Sequence, residues 1–60
     1  MIKVGQKVHI KNGDDFEEGV VKFVHMTHCW FSVEHGTEEY KWLTSFKFDE
    51  IGKKIRVVKG

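Results

Sequence analysis

Apolar and polar residues alternate along most of the chain with a period of two, which is the signature of half-buried strands. The first such stretch is 7–11, KVHIK, where Val8 and Ile10 share one face. NGDDFEE, residues 12–18, follows and reads as a loop, with Phe16 as a plug folded back onto the core. The second strand, 20–26, carries apolar residues on both faces. Val20, Val24 and Met26 fall on one, Val21 and Phe23 on the other, so a bend or bulge is expected. Residues 29–35 form a third strand with Phe31 and Val33 inward and Trp30, Ser32 and Glu34 outward. A tight turn at His35-Gly36-Thr37 leads to a long fourth strand, 38–48, expected to break near Thr44-Ser45. Residues 49–52 read as one helical turn with Ile51 buried beneath the core, and 53–59 as the last strand, with Ile55 and Val57 inward.

Short strands joined by short turns predict a small barrel or a sandwich. Sixty residues fall well short of a sandwich of about 100, which leaves a single all-β barrel domain spanning residues 1–60, with one short helical turn before its fifth strand. A chain this short buries only about 60% of its unfolded surface. Cys29 is the single cysteine, so no disulfide within the chain can compensate. A homodimer, or a core large for its size, must do so. Five Phe, two Trp and one Tyr favour the large core. Val8, Ile10, Val21, Phe23 or Val24, Phe31, Val33, Phe46, Phe48, Ile51, Ile55 and Val57 fill it. Trp30, Tyr40 and Trp42 are then left for the surface. Trp30 and Trp42 are placed on neighbouring strands, where aromatic residues pair.

Two patches carry a resemblance. VGQKVHIKNG followed by EEGVVKFV resembles the opening of KOW and Tudor-like SH3-like barrels, with Gly5, Val8, Ile10, Gly19, Val21 and Val24 at the patterned places. HCWFSVEHG followed by SFKFDEIG is similar to small barrel proteins carried by phages and prophages of Gram-positive bacteria. The resemblance implies a five-stranded SH3-like barrel. Where KOW motifs have a basic first loop, this chain has Asp14-Asp15-Phe16-Glu17-Glu18. Negative charge there favours a protein partner with exposed Lys or Arg.

Charge changes the picture little otherwise. The formal net charge is +1, which is no electrostatic footprint for nucleic acid. Apolar runs are short, such as Val20-Val21 and Val57-Val58, far from a membrane span or a signal-peptide core. A lone free cysteine suits a reducing, cytoplasmic setting.

His25, His28 and Cys29 bracket a turn, and His35 lies further along the third strand. A strand rise of ~3.3 Å per residue keeps His35 from joining the others around zinc. The four are expected as turn and surface residues, with Cys29 half-buried. No oriented base, oxyanion hole or cleft accompanies Cys29, so no enzyme activity, metal or cofactor is expected. The expected function is a non-catalytic protein-binding module, a phage or prophage accessory protein acting on a host factor. Its candidate contact residues are Trp30, Tyr40, Trp42, Asp14, Asp15, Glu17 and Glu18. The alternative is a KOW-like nucleic-acid module using Lys22, Lys53, Lys54 and Arg56.

Overall fold

A computed structural model describes residues 2–58. They form one five-stranded antiparallel sheet: β1 (Lys7–Asn12), β2 (Asp15–His25), β3 (Trp30–Gly36), β4 (Lys41–Lys47) and β5 (Ile55–Val57). The strand order is β4-β3-β2-β1-β5. A 3-10 turn, Phe48–Glu50, stands between β4 and β5.

The first hairpin is tighter than its acidic sequence suggests. Asn12 pairs with Asp15, which leaves only Gly13 and Asp14 to turn the chain. Asn-Gly and Gly-Asp pairs suit such two-residue turns. The residues read as a loop are therefore mostly strand. Phe16 is no plug: it stands opposite Lys11 and is 47% exposed. Its ring instead lies under the Arg56 guanidinium at 4.1 Å and beside His9 at 6.2 Å. A cation over an aromatic face gains without any desolvated core position.

The expected irregularity in β2 is a register shift between Val21 and Phe23. Before it, Val21 pairs with Val33 and points inward. After it, Val24 pairs with Phe31 and packs on the core, while Phe23 pairs with Ser32 and lies outside. One extra residue reverses the alternation, so each segment can bury the residue that suits it. β2 ends at His25, which leaves Met26 in the turn and exposed. Cys29 is in that turn rather than in β3. It is exposed, not half-buried, and has φ 61°. β4 starts at Lys41, not residue 38, and runs through Thr44-Ser45 without a break. The turn before it has its tip at Glu38-Glu39, held by the Thr37 N–H donating to the Tyr40 carbonyl at 2.8 Å.

Val8, Ile10, Val21, Phe31, Val33, Phe46 and Ile55 are buried, joined by Ile2, and Val24 and Phe48 pack against them. Phe31 is fully buried and meets the Phe46 and Phe48 rings at 5.9 Å each. Ile51 and Val57 are corrections, since each is 37% exposed. Ile51 sits in a bridge outside the strands and Val57 ends a three-residue edge strand, so neither has neighbours on all sides. Lys53 and Lys54 belong to the turn before β5, and Lys59 lies outside the described residues.

Two glycines are required. Gly19 faces Val33, whose methyl would lie 2.5 Å from an added Cβ. Gly36 has φ 134°, and a Cβ there would collide with the Tyr40 carbonyl and crowd the Trp42 ring.

Candidate functional site

The residues singled out in the sequence fall into separate groups. Trp30 and Trp42 do not pair. Trp30 faces Lys47 at one end of the β3–β4 ladder, and Trp42 faces His35 near the other. They also project to opposite faces, because the positions differ in parity along the ladder.

Around Trp42 the sheet carries a polar chain on its inner face. Glu17 Oε2 lies 2.9 Å from His35 Nδ1, and His35 Nε2 lies 2.6 Å from Thr44 Oγ1. The three residues come from β2, β3 and β4. A carboxylate only accepts, so His35 Nδ1–H donates to Glu17; on a neutral ring Nε2 then accepts from the Thr44 hydroxyl. His35 stands opposite Gly19, whose missing side chain gives it room to lean toward Glu17. The His35 side chain is only 9% exposed, against the surface position expected from the sequence. Trp42 meets the imidazole edge-on at 5.0 Å, and Tyr40 meets Trp42 at 5.5 Å. Trp42 is 45% exposed and Tyr40 68%. Sequence reasoning missed this chain, although one signal was available: a histidine on the inward parity of β3.

Next to this group a recess opens along β2, β3 and the following turn. Glu17, Glu18, Glu34, Glu38 and His35 line it, with Lys41 as the cation among its lining residues. Glu34 also meets the Lys22 ammonium at 3.9 Å. Glu17 and Glu18 both line this recess, and Glu17 is linked to Trp42 through His35. Asp14 and Asp15 are not part of the recess lining; they stand at the β1–β2 turn. Glu34 and Glu38 enter instead, because cross-strand pairing sets β3 beside β2.

The basic set is dispersed. Lys22 pairs with Glu34, Lys54 meets Glu50 at 3.3 Å, and Arg56 covers Phe16. Glu50 also accepts from the Lys47 backbone N–H at 2.8 Å. That hydrogen bond, with the nearby Lys54 ammonium, holds its carboxyl below the ordinary carboxylate range.

A third group occupies the outer face near the β2–β3 turn. His25 stacks on Trp30 at 5.2 Å and on His28 at 4.5 Å, and Phe23 meets Trp30 edge-on at 5.4 Å. The His28 backbone N–H donates to His25 Nδ1 at 3.3 Å, and the Cys29 thiol faces the Met26 carbonyl at 3.7 Å. The two imidazoles are stacked rather than converging on a point. Among the described residues no three His, Cys, Asp or Glu side chains are placed to hold one metal ion. No helix among the described residues is long and apolar enough to cross a membrane. Compared with known proteins, the chain matches no family model, no curated protein and no solved structure.

Proposed function

We propose that the sheet is the SH3-like barrel its sequence resembles, and that the domain is a non-catalytic module that binds a basic segment of another protein. The strand order β4-β3-β2-β1-β5, with a 3-10 turn before the last strand, supports the barrel. The observation that carries the function is the carboxylate-lined recess beside two exposed aromatic rings, Tyr40 and Trp42. Carboxylates steer a Lys- or Arg-bearing segment and reject acidic ones. Trp and Tyr supply rigid contact area of the kind that dominates binding energy. Gly36 lets the Trp42 ring lie close to the turn, and His35 supports it from behind.

The test is an array of short peptides graded in Lys and Arg content, with binding followed by fluorescence anisotropy. Basic peptides should bind more tightly than acidic ones. Trp42→Ala should weaken capture at least ten-fold, the loss of about 1.4 kcal/mol or more expected of an aromatic hot spot. Glu38→Lys, on an exposed turn, should weaken it without touching the core. Equal binding of acidic and basic peptides, or capture indifferent to both substitutions, counts against the reading.

A further inference from the structure

β4 forms one end of the sheet, and its ladder with β3 fixes which of its backbone groups face outward. The Thr37 N–H donates to the Tyr40 carbonyl at 2.8 Å, and the Phe48 N–H to the Cys29 carbonyl at 3.0 Å. Bonded pairs in an antiparallel ladder recur every second residue. Trp42, Thr44 and Phe46 therefore exchange hydrogen bonds with β3, opposite His35, Val33 and Phe31. The N–H and C=O groups of Lys41, Leu43, Ser45 and Lys47 point away from it. Lys47 fits this phase, since its N–H donates to Glu50 Oε1 at 2.8 Å and not to β3. For Lys41, Leu43 and Ser45, no partner of the outward N–H and C=O groups stands among the described residues.

The other end of the sheet is less open. β5 is three residues long, Ile51 bridges Ile55, and the Gly52 N–H donates to the Ile55 carbonyl at 2.6 Å. The turn before β5 thus covers part of its outer edge. β4 has no such cover among the described residues. It also carries Leu43, which is 61% exposed and alternates to the face opposite Trp42, Thr44 and Phe46. An open edge with an apolar residue at its middle is a template for another strand.

We propose that β4 pairs antiparallel with β4 of a second copy of this chain, about a two-fold axis at Leu43. Bonding phase and charge select that register. An axis at Leu43 sets Lys41 opposite Ser45 of the second copy and Leu43 opposite its own counterpart. Every outward N–H and C=O of Lys41, Leu43 and Ser45 then finds a partner. The same register brings the acidic turn tip, Glu38-Glu39, alongside Lys47 of the second copy. An axis one residue later, at Thr44, would set Lys41 against Lys47 on both sides, and like charges directly opposite destabilise. An axis one residue earlier, at Trp42, would run Ser45 past the strand end, opposite Glu39. The contact uses the same surface on both copies, so it closes at a dimer. It goes beyond the peptide-binding reading and does not rest on it.

Sedimentation equilibrium between about 10 μM and about 1 mM reads the association, a range suited to an interface of small area. The mass should rise toward that of two chains. The Leu43 amide should exchange more slowly with solvent as concentration rises. Leu43→Lys, an exposed change that leaves the core intact, sets like charges on the axis and should raise the dimer dissociation constant about ten-fold or more. Lys41→Pro removes an outward N–H that the β3 ladder does not use. It should weaken dimerisation and keep the circular dichroism of the folded chain. Lys47→Glu should also weaken the dimer, and adding Glu39→Lys should restore it. Peptide capture by the monomeric Leu43→Lys variant tests the other reading separately. A monomer mass across the whole range overturns the proposal, as does a mass beyond two chains. So does a dimer indifferent to Leu43→Lys and Lys41→Pro, and failure of Glu39→Lys to rescue Lys47→Glu overturns the register.

Discussion

Replacing Thr44 with valine removes one hydroxyl and keeps the shape of the side chain. The hydroxyl is what His35 Nε2 meets, at 2.6 Å, on a ring whose side chain is 9% exposed. Leaving a buried polar atom without its partner costs about 1–3 kcal/mol. The added methyl offsets part of that, at most about 0.8 kcal/mol, and less here because the site is half-buried. The net loss should be about 1–2 kcal/mol, which lowers the melting temperature of a domain this size by roughly 4–16 °C. Thermal melts and urea midpoints followed by circular dichroism measure it. Glu17→Gln then separates a hydrogen-bonded chain from two independent contacts. If Glu17 and Thr44 act through one imidazole, the double variant should depart from additivity by about 0.5 kcal/mol or more. Loss below about 0.3 kcal/mol for Thr44→Val, or strict additivity, would refute the chain as a structural tie between β2, β3 and β4.

Three further outcomes follow from the backbone and from one carboxylate. Gly36→Ala should destabilise by more than about 1 kcal/mol, since neither its φ of 134° nor the Tyr40 carbonyl admits a methyl group; a neutral result in urea unfolding contradicts this. Cys29→Gly should raise the thermal midpoint by a gain of about 0.5–1 kcal/mol, because a left-handed φ of 61° costs most residues roughly 1–2 kcal/mol and glycine's freer unfolded chain returns part of it. Glu50 has its carboxyl lowered from 4.5 by the Lys47 N–H first and Lys54 next. Its stabilisation is thus present above the ordinary carboxyl range and lost as pH falls through the lower folded value. Glu50→Gln should flatten the acid limb of the stability profile below pH 4.5, and an unchanged acid limb counts against the assignment.

Much of the architecture is legible in the alternation of side chains. Val8 and Ile10, Phe31 and Val33, and Trp42, Thr44 and Phe46 each sit on the face their parity implies. The β2 irregularity is legible too, because apolar residues on both faces of one strand need an extra residue to reconcile them. The acidic run after β1 misleads for a physical reason. Carboxylates suit loops, but on an outward or edge position of a strand they are equally solvated, and a two-residue turn hides inside the run. Of the candidate residues, Glu17 and Glu18 line one recess and Trp42 and Tyr40 connect to it through His35, whereas Trp30 stands on the opposite face and Asp14 and Asp15 lie outside the recess lining.

By itself the sequence determined the strand count, a short helical turn ahead of the last strand and most of the core, because each depends on local periodicity and on which residues avoid water. Only the tertiary structure decided which residues meet across strands. Register places Trp30 against Lys47, seventeen residues on, and His35 against Trp42, seven residues on, and the alternation of side chains within each strand does not encode it. The pairing of β1 with both β2 and β5 likewise decides that Phe16 turns outward to Arg56 rather than inward. Contact between side chains distant along the chain is a property of the assembled sheet, and the aromatic and charged surfaces take their separate identities from it.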